Sequence, residues 1–539
     1  MEIKLNEPWI TNKVRCQNGY AYIDIAYWNS KKQRADHKRE YIGKFDGQTF
    51  TPNKNFMRLK AEHQLKLASN EFATKTDEYC QRKFYGATYL LDQISEKTGI
   101  AVDLHKCFGP LACLIMSMAY YLVLEEGQAM YRFPKWGVTH CHPFGGDIPS
   151  QRSSELFGVI MEDAKMNYFK YQAGRHGIKE YLAFDTTSIS SYSTLIKQVK
   201  YGKNKEGDSL PQINLALLYG EDSMIPVYYR KLAGNITDVS TIQNLIKDIE
   251  YLELEKCKLV LDRGFYSEKN INDLMKHHYK FLIGAKTSLV IVKKRLDTIR
   301  ADFVTRFNYN SELQLYVMSF TDEWDYKEAK PRSGKLITDK RRIYIHYYYN
   351  DQKATDDKIR FNAMLDRLEY NLIEGHPESS DEKLYNKYFN INKTPVGKTT
   401  YSFNEDAIRE AEKNYGYFVL MTNDIKDPVA ALKIYRLKDL IEKSFGNLKE
   451  RLSMRRMSVA FEENLEGKLF VQFVALQLTS YIKKQMDANK LFSKYTIQSL
   501  LDELDIIEYY QKPGKKHHLS EITEKQRKLY EAMDVPVPT

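Results

Sequence analysis

Asp185, Asp262 and Glu442 are the residues of this chain whose types and spacing could do chemistry together. Asp185 closes the apolar run of "EYLAFDTTS" and Asp262 closes that of "CKLVLDRG". Each is expected at the carboxyl end of a core strand. If those strands are neighbours, the two carboxylates converge at one sheet edge, where like charges repel and a divalent cation is needed between them. An oxygen-only ligand set suits Mg²⁺ or Mn²⁺ rather than zinc. Taken singly, a strand-end Asp more often caps the turn or helix that follows it. The third carboxylate strengthens the case. Tyr435, Lys438, Glu442 and Lys449 stand at i, i+3, i+7 and i+14 of a helical stretch. At roughly 100° per residue they share about 60° of arc. One face then carries a phenol, two ammonium groups and a carboxylate, while Leu437, Leu440, Ile441, Phe445 and Leu448 supply the packing side. A solvated polar face is the competing explanation, but such a face has no need of Tyr435.

These residues need a scaffold, and the chain's texture supplies one. Residues 1–55 alternate apolar and polar positions and predict a small β-unit. Its basic tract "KKQRADHKRE" (31–40) is either a phosphate grip or an ordinary charged hairpin tip. Residues 56–178 have helical periodicity and predict either a DNA-binding module or a helical support. Residues 179–286 read as β-β-β-α-β-α-β, which implies a mixed sheet with helices packed on it. Residues 287–412 interrupt that pattern with mixed strand and helix texture. Residues 413–490 return to it with a strand, the helix bearing Glu442, and an apolar helix expected to cover the sheet. Residues 491–539 are expected to form a C-terminal helical tail, polar and loosely held from "YQKPGKKHH" onward. The fold class predicted is α/β.

In this setting the chain resembles DDE transposases of bacterial insertion sequences, which have an RNase H-like catalytic core. "FDTTS" matches the first Asp motif of the superfamily and "LDRGFYS" the second. Tyr435, Lys438, Glu442 and Lys449 match the spacing of its Tyr-x2-Arg-x3-Glu-x6-Lys signature, and 287–412 occupies the place where the superfamily tolerates an insertion. The resemblance implies that Asp185, Asp262 and Glu442 are catalytic and hold two Mg²⁺ ions per site, with Mn²⁺ able to substitute. It also implies that Tyr435, Lys438 and Lys449 contact DNA phosphates. Lys438 departs from the signature's Arg. It can meet a phosphate as a point charge but not as a bidentate fork. Arg436 lies about 160° away around the helix and is a poor substitute. Arg263 is either a DNA contact or a structural salt bridge. Trp324 and the aromatic-basic tract "RRIYIHYYYN" offer rings for an unstacked base, although a Tyr-rich strand with Ile343, Ile345 and Tyr347 facing the core explains most of the tract more simply, and no DNA hairpin step is assigned.

The function implied is cutting at terminal inverted repeats and joining of 3′ ends to a target, by an endonuclease and strand-transfer activity acting on double-stranded DNA. A synaptic homodimer is expected. The alternatives are an RNase H-like nuclease of repair or defence, and a non-catalytic DNA-binding protein. A net charge of +10 has the sign that suits a polyanionic partner. The amino terminus lacks an apolar leader, and "FGPLACLIMSMAYYLVL" (108–124) predicts a buried helix rather than a membrane span. Six scattered cysteines without a C-x-x-C pair predict reduced thiols. The reduced thiols suit a cytoplasmic protein, and the resemblance implies a bacterial one associated with the nucleoid. "HCH" (140–142) is a poor metal site, because adjacent residues rarely ligate one ion.

Overall fold

A computed structural model describes the chain except for residues 1, 4, 6–9, 11, 30–32, 69–80, 177–179, 194–195, 203, 205–209, 255–256, 330–335, 375, 377, 394–398, 437, 453–455, 458–461 and 513–515. The chain divides into two compact units. The first comprises Met1–Thr237, Lys247–Cys257 and Asp439–Thr539; the second comprises Asp238–Ile246 and Lys258–Lys438.

The first unit opens with an antiparallel sheet in sequence order: β1 (Glu2–Ile3), β2 (Lys13–Gln17), β3 (Tyr20–Asn29), β4 (Arg34–Phe45) and β5 (Phe50–Pro52). Its inner face buries Val14, Ala21, Ile23 and Ile42 beneath Phe56 of α1 (Lys54–Ala68). This is the period-2 pattern of a sheet with one wet face. Helices follow: β6 (Gln81–Phe84) leads into α2 (Gly86–Lys97), α3 (Ile100–Phe108), α4 (Leu111–Leu124), α5 (Phe133–Thr139), α6 (Ser150–Val159) and α7 (Glu162–His176). The uncharged α4 is buried on nearly every side, which explains its hydropathy. No helix among the described residues is long and apolar enough to cross a membrane. Asp103 of α3 accepts hydrogen bonds from Gln172 and Arg175 and so ties α3 to α7.

Three strands then form an antiparallel meander, β7 (Tyr181–Ser191), β8 (Gln212–Gly220) and β9 (Pro226–Ala233). The helix α8 (Asp238–Tyr251) follows.

The second unit continues with β10 (Lys258–Leu261), α9 (Glu268–Lys276), β11 (Lys280–Ala285), α10 (Val290–Phe303), β12 (Tyr309–Asn310), β13 (Leu315–Ala329) and β14 (Leu336–Tyr349). After α11 (Asp351–Ile373), α12 (Glu382–Tyr388), β15 (Phe389–Lys393), β16 (Thr399–Phe403) and α13 (Glu405–Glu412), the chain forms β17 (Tyr417–Thr422) and α14 (Pro428–Arg436). Within this unit the sheet order is β12-β13-β14-β17-β11-β10. β10 and β11 are parallel, and the other neighbours are antiparallel. Thus β13 and β14, which read from sequence as part of an insertion, are hydrogen-bonded into the sheet. The helices α11 to α13 and the β15–β16 hairpin gather a separate small core around Leu365, Leu368, Tyr385 and Phe389.

The chain returns to the first unit through α15 (Lys438–Glu450), β18 (Arg456–Met457), which pairs parallel to β7, and α16 (Glu462–Ala488). α16 packs on α4 and α6 and lays Phe473 over Tyr229 of β9 at 5.2 Å, covering its strand as the apolar pattern predicted. The tail carries the expected helices, α17 (Ile497–Asp505) and α18 (Glu524–Ala532), and its described residues also form β19 (Glu508–Gln511) and β20 (His518–Leu519), with β19 paired to β6. Capping boxes at Thr496 and Thr523 start α17 and α18.

The architecture is mixed α/β. The β-β-β-α-β-α-β order expected between 179 and 286 is the one found from β7 to β11.

Candidate active site

Asp262 follows directly on β10, a four-residue strand whose Leu259, Val260 and Leu261 are buried. The strand is therefore held rigidly, and the carboxylate emerges where the apolar run stops. A short turn, Arg263–Phe265, leads on to Ser267, whose hydroxyl accepts a hydrogen bond from the Asn270 amide and caps α9. Gly264 does not have a left-handed backbone. A Cβ there would stand 3.2 Å from Asp238 Oδ2, at the end of that side chain.

Two groups from the end of the second unit reach Asp262. Tyr435 lies on α14, which packs on the sheet through Ala431 and Leu432 against Leu282, Tyr348 and Leu420. Its hydroxyl donates to Asp262 Oδ1 at 3.0 Å. Lys438 Nζ donates to the same oxygen at 3.2 Å. Burial pushes the Asp262 carboxyl up, but the Lys438 charge, the Arg263 backbone amide and the two side-chain donors outweigh it and hold the group below its usual value. The carboxylate is thus anionic at neutral pH. Lys438 also lies 5.4 Å from the centre of the Tyr435 ring, so phenol and ammonium hold one another in place.

Asp262, Tyr435 and Lys438 line a cavity of about 510 Å³, together with Arg263, Gly284, Thr287, Lys353 and Asp357. Arg263 is exposed, and among the described residues it makes no ion pair. Lys353 is held by both oxygens of Asp357, at 2.9 and 2.7 Å. Sequence reasoning missed Lys353, Asp357 and Gly284. They lie 22 to 95 residues from Asp262 in sequence, and no periodicity links them to it.

Other expected site residues belong to the first unit. Asp185 is not at a strand end. It sits within the eleven-residue β7, paired opposite Leu217. The run "TTSISS" reads as a loop by polarity, but Thr186 to Ser190 continue the ladder with β8 and are buried. Small hydroxyl side chains fit a buried strand once the backbone is paired. Asp185 is half-buried, and its Oδ1 accepts the Thr186 amide at 2.7 Å. Glu442 is exposed on α15, whose Ile441 and Phe445 are buried. Lys449, expected to face DNA, is only 8% exposed. The signature runs over α14 and α15; Leu437 between them, and the side chains of Leu440 and Leu448, lie outside the described residues.

Trp324, expected to offer its ring to a base, is 7% exposed on β13 and donates its indole N–H to Asn272 Oδ1 at 2.8 Å. Ile343, Ile345 and Tyr347 are buried, and so are Tyr344, His346 and Tyr348. β14 lies between β13 and β17; its first half, Ile337 to Arg342, is exposed or half-exposed, while Ile343 to Tyr348 are buried without alternation.

In the "HCH" tract His140 Nε2 meets Asp505 Oδ2 at 3.0 Å and His142 Nδ1 meets Ser117 Oγ at 3.0 Å. Burial drives the His142 imidazole down to about 3, so it is a neutral packing group. Among the described residues no three His, Cys, Asp or Glu side chains gather into one cluster. Cys16, Cys107, Cys113, Cys141 and Cys257 are free thiols; Cys80 lies outside the described residues.

No curated protein sequence matches. Among solved structures, the cryo-EM structure of a piggyBac transposase synaptic complex with hairpin DNA is similar with a TM-score of 0.37 and 9% identity, covering 82% of this chain and 79% of that one. The family model for the transposase DDE domain matches residues 176–478. That segment is more than half of the sequence and contains Asp185, Asp262, Tyr435, Lys438, Glu442 and Lys449. The chain belongs to the transposase DDE domain family.

Proposed function

We propose that this protein is a DNA transposase of a bacterial insertion sequence, which cuts at the element's terminal inverted repeats and joins the freed 3′ ends to target DNA. The observation that carries the reading is Asp262. It is an anionic carboxylate at a strand end, gripped by the Tyr435 phenol and the Lys438 ammonium, inside the segment matched by the family. A carboxylate prepared in this way suits a hard divalent cation.

Asp185, Asp262 and Glu442 are the groups that would hold two Mg²⁺ or Mn²⁺ ions. All three offer oxygen alone, as those ions require. When bound there, the ions supply Lewis-acid activation of a water or a 3′-hydroxyl and stabilise the leaving oxygen. The chain's own residues do the rest. Tyr435 and Lys438 fix Asp262 through Oδ1, leaving Oδ2 outside that pair of bonds. Arg263, exposed on the same cavity, offers a guanidinium to the phosphate backbone. Lys438 can exchange between Asp262 and a phosphate as DNA enters. The protein acts as a synaptic homodimer, since two element ends must meet, and works in the bacterial cytoplasm.

The test uses the purified chain with DNA carrying the element's own ends. Mg²⁺-dependent nicking at the repeat and joining of 3′ ends to a second DNA is expected. Cutting of unrelated DNA without joining would instead indicate a nuclease of repair or defence.

A further inference from the structure

Tyr435 reaches Asp262 past Gly284. The parallel register of β10 and β11 pairs Leu261 with Ile283; Asp262 comes next after β10 and Gly284 next along β11. Gly284 lies inside β11 and lacks a left-handed backbone, so no turn explains a glycine there. Glycine inside a strand weakens it and often marks a close approach by another group. Here the approaching group is visible. A Cβ on Gly284 would lie 2.6 Å from the Tyr435 hydroxyl oxygen, and 3.1 Å from both the Cβ and the backbone nitrogen of Arg263. The first distance is closer than real contacts allow. The hydroxyl is also the end of a side chain that can swing away, while the flanking Ile283 and Ala285 stay buried. An added methyl would therefore displace the phenol from Asp262 before it disrupted the strand.

We infer that Gly284 is a positioning residue for Asp262: its missing side chain is the opening through which the Tyr435 hydroxyl orients the carboxylate. The role of Tyr435 is thereby extended from a DNA contact to the alignment of a metal ligand. The functional half of this inference rests on the reading of Asp262 as a metal ligand; the positional half does not.

The experiment is a double-mutant cycle of Gly284→Ala and Tyr435→Phe in the full chain, read by melting temperature and by Mn²⁺ binding in calorimetry. The phenyl ring lacks the oxygen that an alanine would strike. Gly284→Ala is thus expected to lower the melting temperature in the wild-type background and to lower it clearly less in the Tyr435→Phe background, where only the 3.1 Å contacts with Arg263 remain. Partners that orient a metal ligand typically contribute 10–100-fold to affinity. Mn²⁺ affinity should fall by roughly tenfold in each single variant, and by no more in the double variant. An equal melting loss in both backgrounds would overturn the inference. So would wild-type Mn²⁺ affinity in Gly284→Ala. If the melting coupling is present but the wild-type chain binds no Mn²⁺, the opening stands and the metal reading of Asp262 fails.

Discussion

Lys438 Nζ and Asp262 Oδ1 stand 3.2 Å apart, joining residues 176 positions apart in sequence. The contact gives Asp262 a resident counter-charge. It also places at the carboxylate the residue that stands at the arginine position of the signature this helix resembles. An arginine could deliver one N–H to the same oxygen, whereas a neutral side chain could not. Lys438→Arg is therefore expected to retain most DNA cutting, and Lys438→Ala to lose roughly ten- to hundredfold, the worth of a charged hydrogen bond. Single-turnover cleavage rates distinguish the two. Full activity in Lys438→Ala would deny the pair a role.

His346 should make the protein acid-sensitive. Its ring is buried between Ser319 Oγ, at 2.8 Å, and the Ile425 carbonyl, at 3.0 Å. Burial lowers its imidazole to about 4. The folded state then refuses a proton that the unfolded state accepts. The resulting stability is intact above the unfolded value near 6.5 and declines as pH falls toward about 4. Across that window the loss should approach about 3 kcal/mol. Melting temperatures of the wild type and His346→Gln at pH 7 and pH 5 check this: the wild type should lose more between the two pH values.

Glu466 of α16 holds two buried ammonium groups, Lys165 and Lys231, each at 2.7 Å. Burial raises the Glu466 carboxyl, but the two lysines outweigh it and leave it below its usual value. That stability is present above the unfolded carboxyl's range and is lost as pH falls through the lower folded value. Glu466→Gln leaves the lysines to Glu162 and Glu462 and should cost about 3 kcal/mol at pH 7 in urea unfolding. A neutral outcome would mean that those two acids suffice.

Trp324→Ala should act as a core deletion. The ring is covered and its N–H is used by Asn272, so a loss of about 3–5 kcal/mol is expected. DNA affinity of the folded fraction should be unchanged. Weaker DNA binding at unchanged stability would restore the ring to a nucleic-acid contact.

The legibility of the fold followed burial. Asp262 was placed correctly because an apolar run ending in a carboxylate leaves little choice about where the strand stops. The apolar α4 and α16 were equally plain. Asp185 is not at the strand end its sequence suggests, because Thr186 to Ser190 look like loop and only their pairing with β8 makes them strand. β14 is half legible because alternation reports a strand with one wet face, and its Ile343–Tyr348 half is buried throughout. The signature spacing from Tyr435 to Lys449 was visible, but the destination of Tyr435 and Lys438 was not. A contact spanning 173 residues leaves no periodic trace. The space at Gly284 is likewise a property of packing.

The central claim is that Asp185, Asp262 and Glu442 together serve metal-dependent DNA cutting and joining. It is tested most directly by incubating the wild type, Asp185→Asn, Asp262→Asn and Glu442→Gln with DNA bearing the element's ends, with and without Mg²⁺, and resolving cut and joined products. The account predicts cut and joined products from the wild type only when Mg²⁺ is present, none from any of the three variants, and unchanged DNA binding by all four proteins. Normal cutting by Glu442→Gln, or by either Asp variant, would contradict it.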